Sequence, residues 1–170
     1  FAIFNVVFLS IFILILFMFF FKESELINNL NTGQILAGLD LGDKTIGIAI
    51  SDRSLIIGTP LMTVSRKGNL KDIEILRSIF KEYNVGAIVL GFPISLNGEE
   101  NMRTKKTRDF GEKLNSILSI NIFLQDERFS TNIVKEDMSK NISRKKIKKY
   151  IDKSAASYIL QGFLDKYNNN

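Results

Sequence analysis

Apolar residues are grouped into three short segments that follow one another closely, at 35–41, 45–51 and 55–64. Each segment is rich in Ile, Leu, Val or Thr, and short turns containing Gly, Asp or Ser separate them. Runs of this kind are typical of β-strands, and strands joined by short turns pair antiparallel. The pattern therefore predicts an antiparallel meander of three strands.

Helical periodicity begins after the meander. Asn69 is a candidate N-cap for a helix whose apolar positions recur on one face, at Ile73, Leu76, Phe80 and Tyr83. Gly86 then leads into an apolar strand at 87–91. A second helix is predicted near 102–119, with an apolar stripe formed by Phe110, Leu114, Ile117 and Leu118.

The remaining chain predicts one more strand, at 121–125, and two helices, of which the last runs from about Ser143 to Tyr167. The order β-β-β-α-β-α-β-α predicts an α/β fold with a mixed five-stranded sheet flanked by helices. Strands separated by a helix should be parallel, through right-handed crossovers. This is a ribonuclease H-like arrangement.

The first 21 residues carry no charge and would span about 30 Å as a helix, which is the thickness of a bilayer core. They lack the basic start and cleavage site of a secretory signal. Two interpretations stay open: a transmembrane helix outside the globular domain, or a non-native extension with the true start at Met18 or near Gln34. Residues 22–33 are predicted to be a polar linker, which leaves 34–170 as one compact domain.

Composition narrows the chemistry that the domain can perform. The chain has 170 residues, 45% hydrophobic and 24% charged, as in a single globular domain. It contains neither Cys nor His, which excludes disulfides, thiolate metal sites and an imidazole base. Metals bound by oxygen ligands, such as Mg²⁺, remain, and a reducing compartment, the cytoplasm, is expected. A net charge of +5 permits an anionic partner without requiring one.

Three carboxylate regions are unusual in their settings. Asp40 interrupts an apolar strand, and it is either a turn cap beside Gly42 or a metal ligand. The strand at 121–125 runs into the charged stretch DERFST, which either caps the following helix or forms part of a functional site. Asp152 shares a helical face with the apolar Ala155, Ala156, Ile159 and Phe163. The small Ala155 and Ala156 are expected to let this helix approach the sheet closely and bring Asp152 toward the strands, and the alternative is a favourable charge at a helix N-terminus.

Basic residues flank these candidates along the sequence. The stretch RKKIKK at 144–149 holds five cations, and the second helix contributes Arg103, Lys105, Lys106 and Arg108. Each group is either a solvated helix face or a phosphate-binding surface.

Four motifs then occur in order across residues 35–165: GLDLGDKTIGIAISD, IVLGFPISLNG, DERFST and IDKSAASYILQGFLD. In these motifs the sequence resembles the YqgF-type pre-16S rRNA nuclease family, also described as Holliday-junction-resolvase-like. Ser95 and Asn97 depart from the Asn and Asp that the family often has in that loop.

The resemblance implies a ribonuclease H-like fold and a hydrolase acting on ester bonds. It assigns a catalytic and metal-binding triad to Asp40, Glu127 and Asp152, with one or two Mg²⁺ or Mn²⁺ ions as cofactor. Contacts with nucleic acid are expected from Lys44, Arg103, Arg128, Ser130, Thr131, Lys145 and Lys146. The expected function is 5′-end maturation of pre-16S rRNA, with ribosomal precursor particles as possible partners.

Several alternatives remain open from the sequence. The substrate could be branched DNA, as for a Holliday junction resolvase, or the domain could be a non-catalytic RNA-binding module. An actin-like ATPase also opens with a DLG turn, but residues 34–170 are too short for its two domains. If residues 1–21 are native, the nuclease would be anchored to a membrane with its catalytic domain in the cytoplasm. The oligomeric state is not predicted.

Overall fold

The computed structural model describes residues 23–94, 101–126 and 155–169. These ranges contain five strands: β1 (Ile35–Leu41), β2 (Thr45–Ser51), β3 (Gly58–Ser65), β4 (Val85–Phe92) and β5 (Asn121–Asp126). They also contain four helices: α1 (Glu23–Asn28), α2 (Asn69–Glu82), α3 (Met102–Leu118) and α4 (Ala155–Asn168).

The strands form one sheet in the order β3-β2-β1-β4-β5. β2 pairs antiparallel with both β1 and β3, so the predicted meander is confirmed. β4 pairs in parallel with β1 and β5, as expected for strands that a helix separates. The ribonuclease H-like fold class, a mixed five-stranded sheet flanked by helices, is confirmed.

Each face of the sheet has its own apolar core, because successive side chains of a strand point to opposite faces. On one face, Leu39 and Leu41 pack with the buried residues of α2 and α3, including Leu76 and Phe110. On the other face, Leu36 packs with α1 and α4 in a second core. The sheet is therefore covered on both sides, with α4 and α1 opposite α2 and α3.

Helix α4 lies unusually close to the sheet. A Cβ atom placed on Gly38 would be 2.7 Å from both the Ala156 carbonyl oxygen and the Leu160 Cβ, which is closer than real Cβ contacts occur. The Gln161 side chain also fixes the helix to the start of β3, because its Oε1 accepts a 2.8 Å hydrogen bond from the Gly58 amide. The predicted close approach of this helix is confirmed at Ala156, whereas Ala155 is exposed.

The predicted start of the third strand, at residue 55, is wrong. The strand begins at Gly58, because the Asp52 carboxylate accepts hydrogen bonds from the Ile56 and Ile57 amides and holds the preceding residues in a turn. Both isoleucines are exposed, so their apolar character was misleading.

Asn69 does not cap its helix. The N-cap of α2 is Gly68, whose φ of 102° favours glycine, and it makes no side-chain capping hydrogen bond. Asn69 instead accepts a hydrogen bond from the Arg66 guanidinium. The other predicted helix, near 102–119, is confirmed as α3, and Asn101 caps it by accepting a 2.9 Å hydrogen bond from the Thr104 amide.

The stretch predicted as a polar linker contains α1, which packs against the domain. Leu26 of α1 is fully buried in the second core, and Glu23 forms an ion pair with Lys166 near the end of α4. Residues 1–22 lie outside the described part of the chain, as do residues 143–154 of the last predicted helix. In the ranges that the structure describes, every helix is too short or too polar to cross a membrane.

Candidate active site

Asp40 lies near the carboxyl end of β1, where it is half-buried. It pairs across the ladder with Gly47 of β2. Because Leu36 and Gly38 of the same strand face α4, alternation directs Asp40 to that face as well. A carboxylate on the apolar face of a central strand is unfavourable without a partner, so Asp40 is a candidate for a functional residue.

Gly47 leaves space beside this carboxylate. A Cβ on Gly47 would lie 3.6 Å from the Asp40 Cβ and 3.5 Å from the Ala156 Cβ, at ordinary contact distance. The space that this missing Cβ would fill is bounded by β1, β2 and the first turn of α4. Sequence reasoning missed Gly47, although a glycine inside a strand is a recognised sign of a close approach by a ligand or another backbone.

The carboxyl ends of β1, β4 and β5 lie at one edge of the sheet, because the three strands are parallel. β5 ends at Asp126, which is half-buried and pairs with Phe92 at the end of β4. Seven of the predicted site residues lie outside the described ranges: Glu127, Arg128, Ser130, Thr131, Lys145, Lys146 and Asp152. Within those ranges, no three acidic side chains are grouped so that they could hold a metal ion.

Two predicted nucleic-acid contacts lie within the described ranges. Lys44 is exposed in the turn between β1 and β2, four residues after Asp40. Arg103 is exposed in the first turn of α3. Both therefore lie at the carboxyl edge of the sheet, the edge to which Asp40 belongs.

A buried ion pair fixes the turn that follows Asp40. Arg66 donates to the Asp72 carboxylate over 3.1 Å and to the Gly42 carbonyl over 3.2 Å, and its own amide donates to the Lys44 carbonyl over 2.9 Å. Asp72 is fully buried and also accepts a 2.7 Å hydrogen bond from the Lys67 amide. The network was not predicted, since one Arg and one Asp six residues apart give no distinctive sequence signal.

Helix α3 is joined to the same turn from the other side. Lys106 pairs with Asp43 at 3.6 Å, and the Arg66 guanidinium lies 5.5 Å from the centre of the Phe110 ring. Thr104 is buried and donates a 2.7 Å hydrogen bond to the Pro93 carbonyl after β4. The edge of the sheet around Asp40 is thus held by contacts from both α2 and α3.

Two carboxylates with displaced pKa values lie away from this edge. Partial burial acts to raise the pKa of Asp52, but hydrogen bonds from nearby backbone amides outweigh it and hold the pKa below its usual value. Burial also acts to raise the pKa of Glu23, but hydrogen bonds and the positive charge of Lys166 outweigh it, so the pKa of Glu23 is lowered as well. Both groups therefore stabilise the fold in their ionised form.

Comparison with known proteins decides the family. A family model described as "RuvX: Holliday junction resolvase" matches residues 34–166. The chain belongs to this family. It is 41% identical over 147 residues to a protein of Bartonella tribocorum, covering 86% of this chain and 94% of that one. A Thermoanaerobacter pseudethanolicus protein is 44% identical over 136 residues, covering 79% and 98%. Both carry the description "Putative pre-16S rRNA nuclease".

Among solved structures, Thermus thermophilus RuvC in complex with a Holliday junction substrate matches with a TM-score of 0.49 and 10% identity. The match covers 77% of this chain and 89% of that chain. Family membership makes the chain a nuclease, a hydrolase of phosphodiester bonds, and nucleic acid is therefore its binding partner.

Proposed function

We propose that this nuclease matures the 5′ end of pre-16S rRNA in the cytoplasm, using carboxylates that bind a divalent metal ion. The descriptions of relatives at about 40% identity support the substrate. The observation that carries the proposal is the placement of Asp40 on a central strand, directed toward the space beside Gly47.

The donor set fits a metal with oxygen ligands. Divalent metal use is general among nucleases of this fold class, and a chain without His or Cys can offer carboxylate oxygens. We assign the metal ligands to Asp40, Glu127 and Asp152, and the metal to Mg²⁺ or Mn²⁺. When bound, such an ion supplies activation of water and stabilisation of charge on the phosphate.

The short sequence distances from Glu127 and Asp152 to the described ends of β5 and α4 support this triad. Glu127 directly follows Asp126, the last residue of β5, and Asp152 precedes Ala155, the first residue of α4, by three positions. Three residues can separate two Cα atoms by no more than about 11 Å. Ala156 lies over Gly47, and β5 ends at the same edge of the sheet as β1, so the described residues that precede Glu127 and follow Asp152 lie at the end of the sheet that holds Asp40, which supports the assignment.

In the proposed reaction, the chain's own residues hold the phosphodiester in place. Asp40 is fixed by the β1–β2 ladder, and Lys44 lies in the anchored turn that follows, where its ammonium can neutralise phosphate charge. We assign the same role to Arg128. Ser130 and Thr131 would donate hydrogen bonds to the backbone of the substrate, and Arg103, Lys145 and Lys146 would bind flanking phosphates.

A second candidate substrate is branched DNA. The matching family model is described as a Holliday junction resolvase, and metal-assisted hydrolysis serves RNA and DNA equally well. Ribosomal precursor particles would be the larger partner for the RNA substrate, whereas a four-way junction needs none.

One experiment tests both substrates. The full chain is given a precursor 16S rRNA fragment and a four-way DNA junction side by side, with Mg²⁺, with Mn²⁺ and with chelator. Cleavage of the RNA that chelator abolishes is expected. Cleavage of the junction alone would show that branched DNA, not the rRNA, is the substrate. Cleavage of either substrate in chelator would contradict the role of a metal.

A further inference from the structure

Five exposed cations lie along the carboxyl edge of the sheet, on the side of α2 and α3: Lys44, Lys67, Lys71, Arg103 and Lys106. We propose that this basic rim binds the phosphate backbone of the nucleic acid strand next to the cleaved bond. The proposal rests on the proposed function and extends it, since it gives the strand a path across the edge from the α4 side to the α2–α3 side.

Strand pairing brings the first part of the rim together. Thr45 at the start of β2 pairs with Ser65 at the end of β3, so Lys44, which precedes Thr45, and Arg66, which follows Ser65, are neighbours. The Arg66 amide donates to the Lys44 carbonyl over 2.9 Å, which joins the two segments beyond the last pair. Lys67 follows immediately, and Lys71 is in the first turn of α2.

Helix α3 supplies the other part of the rim. Lys106 reaches Asp43 of the β1–β2 turn, with 61% of its side chain exposed. Arg103 precedes Lys106 by three residues and so lies on the same helical face. The cations of α3 and of the turn therefore border one continuous surface.

The backbone beneath the rim is anchored before any ligand binds. The Arg66–Asp72 pair holds the Gly42 carbonyl and the Lys67 amide, and the guanidinium also rests against Phe110 of α3. Fixed backbone positions reduce the entropy that a binding surface loses on association.

The acidic residues nearest the rim offset the charge of only one of its five cations, Lys106. Asp72 is fully buried against Arg66, and Asp43 is engaged with Lys106. Lys44, Lys67 and Lys71 present their charge to solvent. Each cation that contacts a phosphate of a single strand adds about 0.7 to the slope of log affinity against log salt concentration.

The test compares two double variants that change the same helices and the same charge. Lys71→Ala/Lys106→Ala removes one rim lysine from α2 and one from α3. Lys81→Ala/Lys113→Ala removes an exposed lysine from each helix farther toward its C-terminus. The probe is a fluorescein-labelled single-stranded RNA of 16 nucleotides, and anisotropy is measured in chelator at several salt concentrations.

The rim variant is expected to bind at least about tenfold more weakly at 0.1 M salt, with a salt slope smaller by roughly 1.4, while the control variant stays near wild type. Equal losses in both variants, or no loss in either, would overturn the proposal. Gel analysis of the probe after each titration detects cleavage in chelator, which would contradict the metal-dependent function without affecting the measured contribution of the rim. Thermal unfolding by circular dichroism confirms that both variants are folded.

Discussion

Gly38 of β1 lies directly against the backbone of Ala156 in α4, so closely that a Cβ at position 38 would be 2.7 Å from the Ala156 carbonyl oxygen. The contact sets the distance between the helix and the sheet next to Asp40, which is two residues further along the same strand. The separation of α4 from Asp40 therefore depends on the absence of a side chain at position 38.

Gly38→Ala is expected to lower the free energy of unfolding by about 1–3 kcal/mol, because α4 must move off the sheet to accept the methyl group. Nuclease activity should fall as well, since the shift occurs beside Asp40. Urea denaturation and a cleavage assay measure the two effects.

Gly162→Ala is the matched control within α4. Its Cβ would meet only Gln125 Nε2, at 4.0 Å, and alanine is favoured over glycine inside a helix. The variant should be as stable as the parent or more stable by up to about 1 kcal/mol. Equal stability of the two alanine variants would mean that the approach at Gly38 is not tight.

Asp40→Asn is expected to reduce metal-dependent cleavage by more than about a hundredfold, the loss typical when one electrostatic contributor to a transition state is removed. Binding of nucleic acid should be retained, because the exposed cations are unchanged. Asp109→Asn, an exposed carboxylate of α3, serves as the charge-matched control and should cleave normally. Unchanged turnover in Asp40→Asn would remove this carboxylate from the mechanism.

Arg66→Ala should destabilise the protein by about 3 kcal/mol, the lower part of the range for breaking a buried ion pair, because it leaves the Asp72 charge buried without its partner. The Arg66 side chain is 19% exposed and that of Asp72 is 0% exposed.

Arg77→Ala provides the comparison for Arg66, since it breaks the exposed Arg77–Glu74 pair and should cost less than about 1 kcal/mol. Chemical denaturation of both variants measures the two losses in the free energy of unfolding. If the loss in Arg66→Ala were no larger than in Arg77→Ala, the buried network would not hold the turn. Arg66→Met/Asp72→Leu should recover part of the lost stability.

Asp52→Ala should destabilise the protein by about 1 kcal/mol at neutral pH, through the loss of two backbone hydrogen bonds. The folded-state pKa of Asp52 lies below its usual 3.8, so the ionised carboxylate favours the folded state. The difference between wild type and variant should be complete above about pH 5 and shrink as the pH falls through the folded pKa. A stability difference that grows on acidification would contradict a lowered folded-state pKa for Asp52.

Much of the sheet could be predicted from sequence because its signals are local. The segments at 35–41 and 45–51 coincide with β1 and β2, since a short Gly-containing turn separates two apolar runs. Ile56 and Ile57 were assigned to a strand on the same grounds, but the Asp52 carboxylate holds their amides in a turn. A hydrogen bond from one side chain outweighed the apolar pattern there.

Contacts between distant segments were harder to anticipate. The small Ala156 indicated that its helix approaches the sheet, yet its partners Gly38 and Gly47 were not identified, because sequence does not say which strand lies beneath a helix. Leu26 shows the same limit, since it stands with only Ile27 and Leu30 in an otherwise polar stretch, too few apolar residues to predict a packed helix, and is nevertheless fully buried. The assignments of Glu127 and Asp152 stay predictions.

The ion pair between Glu23 and Lys166 joins α1 to the last turn of α4, whereas Ala156 at the other end of that helix borders Asp40. Ten residues of helix separate the two ends by about 15 Å. An affinity handle or a fluorescent protein fused ahead of Glu23 would therefore attach at the end of α4 that lies away from Asp40, and immobilisation through that end would leave the edge of the sheet at Asp40 open to large substrates.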